Sequence, residues 1–293
     1  MRRKLLIVLI LFFFSGDLSA QQPWVRKKGQ LYTQMGVNAL FWNSVYVAPT
    51  TFGVPHRNMY ELMLSGYFEQ GLTDRLMLSA QIPLSLVGSG KINPNYVGLT
   101  LPKGTLFGFG NINSTLTFQL FKKGGFIMSM SATGYFDSSL RDDGPGLQTG
   151  YQANGVEPKL LAGLGLKRHF FAFGAGVNFR SGGYSHQLRI EAKWGSRIGK
   201  KKRGWFILGV NPLLPLNKKT NTENAILNGT SAINYLYSNE QAWIGISNTF
   251  GYEKNPWSLW FTVGGGPGWL VARAPVFTFS VGRKIQLWNR PDS

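Results

Sequence analysis

The sequence predicts an all-β chain closed into a transmembrane antiparallel up-and-down β-barrel of about 12 strands, with both termini periplasmic. Three observations carry this. From Gly29 onward, stretches of about ten residues are apolar at every second position. Their connections alternate between tight basic turns and longer polar loops, and aromatic residues gather near their ends. In residues 59–69, Tyr60, Leu62, Leu64, Gly66 and Phe68 share one face, while Met59, Glu61, Met63, Ser65, Tyr67 and Glu69 share the other. From Arg75, Leu76, Leu78, Ala80, Ile82 and Leu84 fall outside, against Arg75, Met77, Ser79 and Gln81 inside. A helix does not produce this period.

The first twenty residues stand apart. Arg2, Arg3 and Lys4 precede an apolar run over 5–14, and Ser19 and Ala20 close the segment, the pattern of a cleaved secretory signal. A retained helix is the rival reading, but a span needs about twenty apolar residues. The expected layout is a leader at 1–20, a short periplasmic segment at 21–29, one barrel over 30–288 and a tail at 289–293. Residues 21–29 either enter the lumen as a plug or hang from its rim.

The alternation sets strands at 30–42, 57–69, 75–85, 109–121, 126–136, 155–166, 170–180, 186–198, 204–214, 239–252, 257–264 and 274–288. Connections 43–56, 86–108, 137–154, 181–185, 215–238 and 265–273 become loops on one side, and five brief turns lie on the other. Other readings of 215–238 and 264–268 give ten or fourteen strands. Interfacial aromatic residues are expected at Phe41, Trp42, Phe68, Phe121, Tyr135, Phe136, Phe170, Phe171, Trp194, Trp205, Phe206, Tyr252, Trp257 and Trp288. Asn111, Asn113, Thr115, Thr117 and Gln119 make one strand face almost wholly polar. A mean hydropathy of −0.08 is what two averaged faces give.

The chain has no cysteine and a formal charge of +18. Loss of Arg2, Arg3, Lys4 and Asp17 with the leader leaves it near +16. Nucleic acid is an unfitting partner, since no recognised nucleic-acid module accompanies the charge. Lys122, Lys123, Lys167, Arg168, Lys200, Lys201, Lys202 and Arg203 sit in the short turns, so they form a periplasmic basic rim. It is either solvated hairpin tips or a collar for phospholipid head groups or a periplasmic or envelope protein partner.

Parity turns Glu61, Glu69, Glu157, Lys159, Arg180, Arg189, Glu191 and Lys193 inward as candidate pore-lining residues. Such a ladder is either a salt-bridge network holding register or a filter for anionic or polar solutes. Gly163, Gly165, Gly174 and Gly176 are places where the wall can widen or kink.

No catalytic set is expected. Of three histidines, His56 lies in a loop, His169 in a turn, and His186, beside Ser185, begins a strand with outward parity. Asp137, Asp142 and Asp143 lack the spacing of a calcium loop, and neither metal nor cofactor is expected.

One segment is more specific. Tyr67-Phe68-Glu69-Gln70-Gly71-Leu72-Thr73-Asp74-Arg75-Leu76-Met77-Leu78, followed by Pro83-Leu84, resembles the strand, turn and strand signature of outer-membrane barrels labelled MetA-pathway-of-phenol-degradation or transporter-like proteins. In that turn Gly71 supplies a positive backbone angle, Thr73 and Asp74 bond the turn's own amides, and Arg75 pairs with a nearby carboxylate. Residues 108–112 resemble the family's Gly-Leu-Gly-Asp strand opening, with Asn111 where Asp is common. The Gln-Pro-Trp and Gly29-Gln30 region and the C-terminal strand resemble it more loosely. The resemblance implies a bacterial outer-membrane barrel passing small or hydrophobic solutes. A non-conducting structural or docking barrel of an envelope complex is the alternative.

Overall fold

The computed structural model describes residues 23–47, 51–98, 100–217, 237 and 240–287. The expected leader at 1–20, the expected tail at 289–293, Trp288 and most of the expected loop at 215–238 lie outside the described residues. Twelve long strands form the wall. They are β1 (Gln30–Trp42), β2 (Arg57–Gly71), β3 (Leu76–Ile92), β4 (Ile112–Lys123), β5 (Phe126–Phe136), β6 (Gly155–Gly165), β7 (His169–Arg180), β8 (Gln187–Ile198), β9 (Gly204–Pro215), β10 (Ala242–Lys254), β11 (Trp257–Gly265) and β12 (Val276–Gln286). Each pairs antiparallel with its neighbours in sequence, and β1 pairs with β12 from Gln30↔Gln286 to Ala39↔Phe277, which closes the ring. Closure leaves no edge strand whose backbone groups face hydrocarbon. The start of β1 and the end of β12 therefore share the end that carries the short turns.

Accessibility follows the every-second-residue pattern but is inverted relative to a water-soluble core. Met35, Leu64, Leu116, Phe118, Met130, Leu160, Phe173, Ile246 and Phe250 are exposed on the exterior, whereas Ser79, Thr115, Thr117, Ser129, Thr133, Glu157, Thr249, Thr262 and Thr278 are buried inside. An exposed apolar belt of this extent marks a lipid-facing surface.

Where strand ends depart from the sequence reading, the cause is local. β3 runs to Ile92 rather than 85, because Gly88 and Gly90 extend a strand instead of ending it. Gly88 stands opposite Tyr60, whose ring covers the space a Cβ would need. Phe170 covers Gly195 and Trp260 covers Gly251 in the same way, each pair in direct register. Such aromatic cover over glycine pins register in curved sheets. Thr105–Phe109 forms a separate short strand against β3, and β4 begins only at Ile112. His169 is the first residue of β7, and β8 begins at Gln187, one residue after His186.

The aromatic assignment needs correcting at four positions. Trp42, Tyr135, Phe170 and Trp205 point inward, because each shares parity with the polar face of its strand. Trp42 is 3% exposed in an apolar cluster with Leu40, Val45, Val47, Met59, Val87 and Leu147, which fills part of the barrel at the loop end. Phe41, Phe121, Phe136, Phe171, Tyr252 and Trp257 do face outward and are exposed.

Candidate functional site: the barrel lumen

The lumen holds a cavity of about 580 Å³. Its walls differ. On β6 and β8, Lys159 Nζ reaches Glu157 Oε1 at 2.9 Å and Glu191 Oε1 at 3.4 Å, and Lys193 Nζ reaches Glu191 Oε2 at 3.2 Å. Glu157 Oε2 accepts from Tyr135 Oη at 2.5 Å and faces Arg189 Nη1 at 3.5 Å. Arg189 Nη1 also donates to Tyr135 Oη at 2.9 Å, and its guanidinium lies 5.2 Å from that ring.

β6 and β8 are not neighbours. With β7 between them they stand about 10 Å apart, two inter-strand spacings. Gly174 and Gly176 on β7 make the bridge across feasible. A Cβ at Gly174 would lie 2.8 Å from Glu191 Oε1, and one at Gly176 would lie 2.9 Å from Lys159 Cβ. These glycines form a trough that the Glu191 and Lys159 side chains fill. At Gly163 the space of a Cβ is taken by Pro23 and Trp24, whereas at Gly165 the nearest atoms are Gly125 O at 3.7 Å and the Trp24 ring at 4.0 Å.

Five of the eight inward charges thus converge: Glu157, Lys159, Arg189, Glu191 and Lys193. The other three lie at the two ends. Arg180 Nε donates to Ser185 O at 2.7 Å, and its guanidinium lies 5.2 Å from the Tyr151 ring and 5.0 Å from that of Tyr184. Tyr151 stands edge-on to Tyr237 at 5.3 Å, and Tyr237 Oη donates to Glu61 Oε1 at 2.7 Å on the far wall. A tyrosine bridge therefore spans the bore from β7 to β2 at the loop end. Desolvation pushes the Tyr151 phenol above its ordinary range, against the pull of Arg180 and Arg189, so it stays a neutral donor to Gln241 Oε1 at 2.6 Å.

Glu69 lies at the opposite, short-turn end, where Arg26 Nη2 reaches its Oε2 at 2.6 Å. Arg26 belongs to a strap, residues 23–28, that folds into that mouth. Ser129 Oγ on β5 donates to Pro23 O at 2.6 Å, and Trp24 stands edge-on to Phe170 of β7 at 5.7 Å. The strap changes the reading of two turn residues, Gly71 and Asp74. Gly71 is not among the glycines with positive φ; glycine is needed there because a Cβ would overlap the Lys27 carbonyl. Thr73 Oγ1 does accept the turn amides of Arg75 and Leu76, at 3.1 and 2.9 Å, whereas Asp74 Oδ1 accepts from Lys28 N of the strap at 3.1 Å.

Asn111 also acquires a role. Its Nδ2 donates to Tyr151 O at 2.7 Å and its Oδ1 accepts from Tyr151 N at 2.6 Å, a two-way clamp on the loop that carries the bridge. An aspartate cannot donate the first bond. The Ser185 hydroxyl is turned to Asn217 O, and His186 Nδ1 accepts from Arg180 N at 3.1 Å, so the adjacent pair is not a nucleophile and its base. Asp143 pairs with Arg141, and Asp142 Oδ1 accepts from Gly144 N at 3.1 Å. Lys122, Lys123, Lys167, Arg168, Lys200, Lys201 and Arg203 are exposed at the short-turn end, and Lys202 lies half-buried in the same turn with a φ of 52°.

A closed antiparallel wall, apolar outside and hydrophilic within, defines a barrel of the bacterial outer-membrane class. Comparison with solved structures agrees on the fold. The chain resembles the COG4313 outer membrane channel from Pseudomonas putida F1 with a TM-score of 0.67 and 12% identity, over 92% of this chain and 100% of that one. The NanC porin follows at a TM-score of 0.50 and 8% identity, over 87% of this chain and 100% of the porin. No protein-family model and no curated protein sequence matches the chain.

Proposed function

We propose that this chain is a pore of the bacterial outer membrane that passes small polar or hydrophobic solutes, oriented with its short turns and both termini in the periplasm after loss of the leader. The observation that carries the reading is a cavity of about 580 Å³, lined on one wall by a charged network, inside a lipid-facing barrel. That volume suits a small organic solute. Lys159, Arg189, Glu191 and Lys193 give the passing solute fixed charges in a region sheltered from bulk water, where they act at longer range than at a surface. No part of the site needs a chemical step, so the reading is of a channel rather than an enzyme. The Thr73 turn keeps kinship with the MetA-pathway-of-phenol-degradation barrels within this proposal.

Planar bilayers provide the test. Purified protein is expected to give discrete conductance steps, and the triple variant Glu61→Ala, Arg189→Ala, Glu191→Ala to shift their size or their anion-to-cation preference. Silence from both proteins would count against a pore. The exposed basic rim supports a second reading, a docking barrel, in which neutralising Lys200, Lys201, Lys202 and Arg203 releases an envelope partner while bilayers stay silent throughout.

A further inference from the structure

The strap is held more closely than a chain end resting on a rim would be. At its outer end Gly29 N donates to Gly71 O at 2.9 Å, and Lys28 N donates to Asp74 Oδ1. Arg26 Nε and Nη2 both lie 2.6 Å from Glu69 Oε2, the guanidinium sits 4.8 Å from the Tyr32 ring, and Arg26 N donates to Met77 Sδ at 3.4 Å. Glu69 is 4% exposed, so this is an ion pair inside the barrel rather than on its surface. From β2 and β3 the strap crosses to Ser129 on β5, Gly163 on β6 and Phe170 on β7. β2 and β7 stand on nearly opposite sides of the ring. The wall is cut to receive it: small residues, Gly71, Ser129 and Gly163, stand at the contact points, and Pro23 is buried. Phe170 also lines the lumen cavity, so Trp24 packs against one of the cavity's lining residues.

We propose that residues 23–28 are a built-in plug, latched through Arg26 on Glu69, that narrows the short-turn mouth and whose release switches the pore to a wider level. This rests on the pore reading above. Loss of the expected leader would place it at the start of the mature chain, the region of a fold that opens locally at least cost.

The cysteine-free chain allows a direct trap. A Cβ at Gly163 would lie 2.5 Å from Pro23 Cγ, so the pair Pro23→Cys, Gly163→Cys falls within the reach of a disulfide, whose Cβ atoms sit about 3.8 Å apart. Oxidised, this variant is expected to cross-link and hold the lower conductance level. Reduction should restore transitions to the higher one. Deletion of residues 23–27 is expected to raise the unitary conductance by about twofold or more, since the narrowest part of a pore limits its current. Heat-modifiable gel mobility reports that each variant is folded. A folded pair that fails to cross-link, or a deletion that conducts like the unaltered chain, overturns the plug and leaves the pore reading intact. If neither the unaltered chain nor the deletion conducts, the pore reading fails and the plug falls with it.

Discussion

Glu157→Ala is expected to lower the unfolding free energy of the barrel by roughly 3–5 kcal/mol, the range for removing one partner of a buried ion pair. Glu157 is fully buried, and its two oxygens together serve Lys159, Arg189 and Tyr135. Without it, two cations of one wall lose their shared counter-charge, and the Tyr135 hydroxyl loses its acceptor in a region with little water to replace it. Glu157→Gln should cost less, because the amide oxygen still accepts from Tyr135. The measurement is reversible urea unfolding in phospholipid vesicles. A loss below about 1 kcal/mol, the scale of an exposed pair, would mean the network is solvated and does not hold the wall.

The second large effect concerns the outer face. Leu116 on β4 is 46% exposed to the surroundings of the barrel, whereas Asn113, on the same strand with opposite parity, lines the cavity. Leu116→Arg is expected to destabilise the folded state by roughly 2–4 kcal/mol, the cost of an arginine near the bilayer midplane. Asn113→Arg should leave stability nearly unchanged and instead alter conductance. The comparison is informative because the introduced residue is the same in both variants, while the sites lie on opposite faces of one strand, three residues apart. Equal losses in both, measured in the same vesicles, would contradict the assignment of faces.

Much of the wall was legible because a strand's period of two leaves a direct trace: parity in 57–69 turns Glu61 and Glu69 inward, and the structure has them there. Parity was also informative where it was overruled. Trp42, Phe170 and Trp205 share the face of lumen residues, but their position near strand ends favoured an interfacial reading. The converging charges of β6 and β8 were visible as inward residues; that they meet across β7 depends on Gly174 and Gly176, and a trough between side chains leaves no periodic signal. The tyrosine bridge joins Arg180, Tyr151, Tyr237 and Glu61 from four distant segments, which local pattern cannot bring together. The strap is only six residues long, too short for any period. Its trace was Gly71, whose need for glycine comes from the Lys27 carbonyl rather than from turn geometry.

The most direct test of the inside-out wall is a single-cysteine nitroxide scan along residues 243–250 of β10 in lipid vesicles, using the chain's lack of native cysteine. Labels at 244, 246, 248 and 250 should be relaxed mainly by oxygen dissolved in the lipid, and labels at 243, 245, 247 and 249 mainly by a water-soluble nickel chelate. A profile without this alternation, or one in which the second set is shielded from both reagents as in a dry core, would contradict the barrel and every functional reading built on its lumen.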